Sequence, residues 1–228
     1  MYGENKIMKV DLISYSQPWQ NQIDVGPTDL IAYCARVSNP DNQNNKATTE
    51  KLLKYLIREK HWSPFEMVSV CLEIETTRDI ARQLLRHRSF SFQEYSQRYA
   101  DPTKDLEFTT REARLQDLNN RQNSIPIDMA DAKQREINEM FRMKQKSLLR
   151  QVEEVYQWAI KNGIAKEQAR AVLPEGLTTS RLYVNGTLRS WIHYIELRSA
   201  NGTQKEHMDL AVACAKVISK VFPMISEE

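Results

Sequence analysis

The 228-residue chain contains no Gly-x-Gly-x-x-Gly and no Gly-rich P-loop. The usual backbone cradles for nucleotide phosphates are therefore missing. Cysteine is scarce: Cys34, Cys71 and Cys214 are far apart and odd in number. With no Cys-x-x-Cys pair and no Cys/His metal spacing, neither a disulfide framework nor a metal site is expected. Reduced thiols point to a cytoplasmic protein. No apolar run approaches the roughly 20 residues that span a bilayer, and residues 1–19 carry no apolar leader core or small-residue cleavage site. Neither a membrane partner nor a signal peptide is expected. An excess of one charge is missing too: 32 Lys and Arg face 30 Asp and Glu, a net charge of +2. A general nucleic-acid binder carries a larger basic excess, so nucleic acid is not expected as a partner and any anion site is local. No shift in composition marks a boundary, which predicts one domain over residues 1–228.

Hydrophobic periodicity outlines the elements. Residues 6–16 alternate as a strand. Residues 27–38 read as a helix with Thr28 as N-cap, and residues 47–61 as a helix with Leu52, Leu53, Leu56 and Ile57 in one stripe. Residues 67–77 change period, with Val68, Val70, Leu72 and Ile74 on one face. Residues 77–88 return to helical spacing, and the chain beyond them reads as loop or short turns. Residues 101–131 are polar and form an excursion, either a lid or a plain surface insertion. The longest helix spans about Asp131 to Asn162, with Ile137, Phe141, Leu148, Val152, Val155, Tyr156 and Ala159 on its buried side. Gly163 ends it as a C′ residue. A short helix before Pro174, a strand at 180–187 and helices at 188–199 and 203–222 follow. The fold class is α+β: a small mixed or antiparallel sheet packed with several helices.

The chemistry concentrates in Arg86–Tyr99, "RHRSFSFQEYSQRY". Two guanidiniums flank His87, an awkward placement unless an anion sits there. Arginine forks suit phosphates and carboxylates, serine hydroxyls bind phosphate, and Glu94 can pair an arginine. The mixture suggests a nucleotide; a surface loop with internal Arg–Glu pairs uses the same residues. Downstream lie Arg170, Arg181, Arg189 and Arg198 with His193, and Arg189 and His193 share a helix face at i,i+4. The arginines and interleaved aromatics also suit a nucleotide- or single-stranded-RNA-binding module without catalysis.

Arg86-His87-Arg88, Ser91, Ser96 and Arg98 reproduce the long pattern RHRxxSxxxxSxR. With "ARVS" at 35–38, "SPFE" at 63–66, "ARQ" at 81–83, "ARAVLP" at 169–174 and "LRSWIHYIELR" at 188–198, the chain resembles the flavin-dependent thymidylate synthases over most of its length. The resemblance implies reductive methylation of dUMP to dTMP, with methylenetetrahydrofolate as carbon donor, NADPH as reductant and FAD as hydride carrier. It also implies a homotetramer with active sites at subunit junctions. The implied dUMP contacts are Gln83, Leu84, Leu85, Arg86, Glu94, Tyr95, Ser96, Gln97, Arg98, Arg170 and Arg198. The implied FAD contacts are Ser63, Arg86, His87, Arg88, Ser89, Glu94, Thr187, Arg189 and His193. Arg198 matches the arginine that polarises the uracil ring and is the implied catalytic residue, while Ser96 positions substrate rather than attacking it. His87, beside two fixed charges, is expected to stay neutral.

Overall fold

Alternation in Ser69–Thr77 sets the centre of the molecule. The computed structural model describes residues 8–19 and 26–226. Residues 1–7, which include the start of the expected first strand and of the segment read as lacking a leader, lie outside the described residues. In chain order the elements are β1 (Lys9–Tyr15), α1 (Pro27–Ala35), α2 (Thr49–Arg58), β2 (Ser69–Thr77), α3 (Arg78–Leu84), β3 (Phe90–Glu94), α4 (Pro102–Asp105), β4 (Arg114–Gln116), β5 (Ser124–Pro126), α5 (Ala132–Lys161), α6 (Lys166–Ala169), β6 (Thr179–Thr187), α7 (Leu188–Ser199) and α8 (Lys205–Ile218). Four strands pair antiparallel in the order β1-β2-β6-β3, and β4-β5 forms a separate hairpin.

The sheet buries one face. Val70, Leu72 and Ile74 of β2 and Leu182 and Val184 of β6 pack with Ile31, Leu53, Ile80, Leu84, Trp191 and Leu210 from the helices. Removing this apolar area from water is the main stabilising contribution. Trp191 keeps its indole satisfied by donating to the Val70 carbonyl at 3.0 Å. Among the described residues, no helix is long and apolar enough to cross a membrane.

Three expectations are corrected, and the excursion at residues 101–131 gains detail. Thr28 is not the N-cap of α1: Gly26 holds that position, Pro27 is the first helical residue, and the Thr28 hydroxyl donates to the Val221 carbonyl at 3.1 Å. Pro at the first helical position wins because its missing N–H would be unpaired there anyway. Residues 90–94 are a strand rather than loop, since Phe90 and Phe92 alternate with Ser91 and Gln93 and find a partner in β6. Residues 101–131 hold the short helix α4 and the β4-β5 hairpin. Finally, Ile137, Phe141, Leu148 and Val155 of α5 are exposed. The face of α5 turned to its own chain carries Gln145, Leu149, Val152, Tyr156 and Ala159, around a small second core with Phe108, Ala169 and Leu173. The helix thus has two apolar stripes, and only one is covered within the chain. Its end is as expected, with Gly163 at φ +77°.

β3 closes on β6 at a position where only glycine fits. Phe90 faces Gly186 in register, and a Cβ there would lie 2.3 Å from Phe90 Cδ1. The Phe90 ring cannot retreat, because Trp191 packs on it at 4.6 Å between centroids. Gly186→Ala is expected to lower stability by about 1–3 kcal/mol, measured by urea unfolding; an unchanged midpoint would contradict this packing.

Candidate active site

Three groups of polar side chains surround the Arg86–Tyr99 segment, each built by different elements. The first lies where α3 ends, near the C-terminus of α7 and the start of α8. Arg198 Nε donates to His87 Nε2 at 3.0 Å. Burial, reinforced by the Arg198 charge, pulls the His87 imidazole below its ordinary pKa. His87 is therefore neutral at pH 7, as expected, but burial and Arg198 are the causes rather than Arg86 and Arg88, which are both exposed. Because Nε2 accepts, the His87 proton sits on Nδ1. Arg86 and Arg88 make no side-chain hydrogen bond or ion pair among the described residues, and the terminal nitrogens of Arg198 are equally unengaged. Gln83 belongs here too, bonded to Gln204 and His207. Leu84 is in the core and Leu85 is half-buried, so Leu84 offers a ligand only its main chain.

The second group lies at the other end of α3 and β3. Glu94 accepts from Arg78 at 3.2 Å and from the Ser180 hydroxyl at 2.9 Å. Arg78 is nearly buried, and burial draws its pKa down against the opposing pull of Glu94. The chain then turns. Ser96 Oγ accepts from the Arg98 amide at 3.4 Å, and Gln97 is buried with Nε2 lacking a partner. The Tyr95 phenol donates to Asp105 at 2.7 Å; burial, then Asp105, hold its pKa above the ordinary value. Arg98 reaches Glu167 at 3.4 Å, while Arg170 Nε donates to the Glu167 carbonyl at 3.3 Å. Arg98 and Arg170 thus meet at Glu167, the first at its carboxylate and the second at its main-chain carbonyl.

The third group surrounds the N-terminus of α7. Thr187 caps that helix, accepting from the Ser190 amide, and the Ser190 hydroxyl donates to the Ser89 carbonyl at 3.3 Å. Arg189 pairs with Glu66, and His193 meets the edge of Trp62 at 4.6 Å between centroids. The i,i+4 spacing of Arg189 and His193 thus aims both at the Ser63–Glu66 turn, where Ser63 is exposed. Arg189 and Arg198 are nine residues apart on one helix, roughly 13 Å along its axis.

The predicted residues therefore divide into three groups by their direct contacts. Arg181 of the downstream cluster stays apart, paired with Glu75 on the sheet. Sequence reading missed Arg78, Gln204 and His207; only Arg78 left a signal, its position just before the "ARQ" motif. The cysteines offer no ready nucleophile. All three are free, and burial raises each thiol pKa, most of all at fully buried Cys214. Among the described residues no cluster of His, Cys, Asp and Glu could hold a metal ion.

The family model described as thymidylate synthase complementing protein matches residues 22–224. The "Probable flavin-dependent thymidylate synthase" of Paramecium bursaria Chlorella virus 1 is 48% identical over 220 residues, covering 96% of this chain and 98% of the relative. The flavin-dependent thymidylate synthase of Synechocystis sp. is 47% identical over 222 residues, covering 96% and 98%. Among solved structures, the UMP/dUMP methylase PolB from Streptomyces cacaoi bound with 5-Br dUMP superposes with a TM-score of 0.77 at 26% identity, covering 96% of this chain and 93% of that one.

Proposed function

The chain belongs to the thymidylate synthase complementing protein family, and from that premise we propose that it is a flavin-dependent thymidylate synthase converting dUMP to dTMP. The observation that carries the reading is the state of the arginines around neutral His87. Arg86 and Arg88 lack an anionic partner among the described residues, and Arg198 spends only Nε on the protein. Unpaired guanidiniums in one short segment suit phosphate and the carbonyl edge of a pyrimidine better than they suit stability.

The donor set fits the two nucleotides the family uses. Arg98 and Arg170, with Ser96, Gln97 and the Tyr95 main chain, form the phosphate end of a dUMP site. Gln83, Arg86, the main chain at Leu84 and Leu85, and Arg198 form the uracil end, and Glu94 anchors the strand between them. FAD would be held by Ser63, Arg86, His87, Arg88, Ser89, Glu94, Thr187, Arg189 and His193. The orphaned Gln97 Nε2 supports a ligand acceptor near the phosphate end. When bound, the flavin passes two electrons from NADPH to the transferred carbon. Because NADPH supplies those electrons, methylenetetrahydrofolate gives up only its one-carbon unit and leaves as tetrahydrofolate. Arg198 presents positive charge where the pyrimidine gains negative charge, and His87 holds the guanidinium in place from behind.

The three groups are spread along α3, β3 and α7, so a site completed by neighbouring copies is the arrangement we favour. The exposed apolar stripe of α5, with Ile137, Met140, Phe141, Leu148, Val155 and Trp158, supports self-association. We propose a homotetramer of single-domain chains, in the cytoplasm, where the three free thiols stay reduced. Sedimentation is expected to give a tetramer, and Phe141→Glu to shift it to smaller species; a wild-type monomer would sink the shared-site arrangement. Binding is tested by the absorption spectrum of the FAD-loaded protein. Flavin bands that are perturbed by dUMP and bleach with NADPH are expected. No uptake of FAD would return the chain to a nucleotide-binding module.

A further inference from the structure

The amide of Gln83 is held at both ends, and the direction of its hydrogen bonds follows from a carboxylate. Glu206 pairs with Arg111 at 3.0 Å and Arg114 at 2.6 Å. Burial opposes its charge, but the two guanidiniums hold its carboxyl below the ordinary range. An ionised carboxylate only accepts. Gln204 must therefore turn its amide nitrogen to Glu206 Oε2, at 3.0 Å, and its carbonyl oxygen to Gln83 Nε2, at 2.8 Å. Gln83 in turn has only its carbonyl oxygen left for His207 Nδ1, at 3.1 Å, so Nδ1 carries the proton.

His207 is fully buried, its ring 6.4 Å from that of His87 and 5.7 Å from that of Tyr194. Its Nε2 has no partner among the described residues. Burial, then the Arg198 charge and His87, bring its pKa to about 4, so the ring is neutral at pH 7 and holds one proton. That proton is committed to Gln83.

We propose that His207 is a positioning residue for the uridylate site, the terminal donor that fixes which end of the Gln83 amide meets the substrate. The proposal rests on the reading of Gln83 as a dUMP contact. With the relay intact, Gln83 keeps one N–H and one lone pair for a ligand. A flipped amide would set its oxygen against that of Gln204 and force His207 to the Nε2–H tautomer, whose buried N–H has no partner among the described residues, so the relay permits one orientation. Gln204 is the N-cap of α8 and His207 lies in its first turn, and Arg111 and Arg114 come from the 101–131 segment. That segment therefore helps to order the site through Glu206 rather than serving only as a cover.

The test is calorimetric binding of dUMP to the FAD-loaded protein carrying His207→Leu, His207→Asn, Gln83→Leu or the Leu–Leu pair. Asparagine places an amide nitrogen near the position of Nδ1. Gln83→Leu and His207→Leu are each expected to weaken dUMP about tenfold, and the double variant to be no weaker than Gln83→Leu. His207→Asn is expected to recover most of the loss while FAD loading stays unchanged throughout. If Gln83→Leu weakens dUMP and a folded His207→Leu binds normally, the proposal is overturned. If Gln83→Leu binds normally, the dUMP assignment of Gln83 falls and takes the proposal with it. Should His207→Leu not fold, nitrogen-15 imidazole shifts of the wild-type protein decide: a neutral Nδ1–H tautomer supports the relay, and an Nε2–H tautomer overturns it.

Discussion

Arg198→Ala is expected to lower turnover by about 10²- to 10³-fold, the range seen when one preorganised donor to developing charge is lost. The residue sits in the last turn of α7, where a cation also suits the helix C-terminus. Its Nε is spent on His87 at 3.0 Å, which fixes the guanidinium and leaves its two NH₂ groups without a partner among the described residues. Uracil becomes a better acceptor when a cation lies beside its carbonyl or N3 edge, and that stabilisation grows as negative charge develops. The effect should therefore fall mainly on kcat, with KM for dUMP changing less. Arg198→Lys keeps the charge but loses the planar fork and the Nε bond to His87, so it should recover only a small part. Steady-state kinetics checks this. A kcat within threefold of wild type in Arg198→Ala would remove the residue from the chemistry.

Arg98→Ala is expected to weaken dUMP about 100-fold while the fold survives. A charge-assisted bond to a phosphate contributes about 1.5–3 kcal/mol, and about 1.4 kcal/mol corresponds to tenfold in affinity. The side chain is about half exposed and reaches Glu167 only at 3.4 Å, so the protein itself gains little from it. Its melting temperature should stay close to wild type, which separates a lost ligand contact from a lost structural one. Unchanged affinity in dUMP titrations would sink the phosphate assignment of Arg98 and, with it, the pairing of Arg98 with Arg170.

Much of the fold was legible because period-2 and period-3.6 patterns reflect burial. Val70, Leu72 and Ile74 face the core as their alternation predicts, and α5 ends at Gly163 as its left-handed φ requires. β3 is less legible because its Phe-Ser-Phe-Gln alternation is only four residues long, sits among charged residues, and pairs with the distant β6. Residues Ile137, Phe141, Leu148 and Val155 were read as buried because periodicity reports an apolar face, not what covers it. At the candidate site, residue identities were legible through one long motif, but their partners were not. Nothing local in the sequence says that Arg198 meets His87 across 111 positions, or that His207 meets Gln83 across 124. Nor does sequence distance show that burial and Arg198, rather than the adjacent arginines, keep His87 neutral.

The most direct test of the central claim is product analysis after anaerobic incubation of the FAD-loaded protein with dUMP, methylenetetrahydrofolate and NADPH. Formation of dTMP together with tetrahydrofolate is predicted, because the reducing equivalents come from NADPH. The absence of dTMP, or its formation with dihydrofolate as the co-product, would contradict the account.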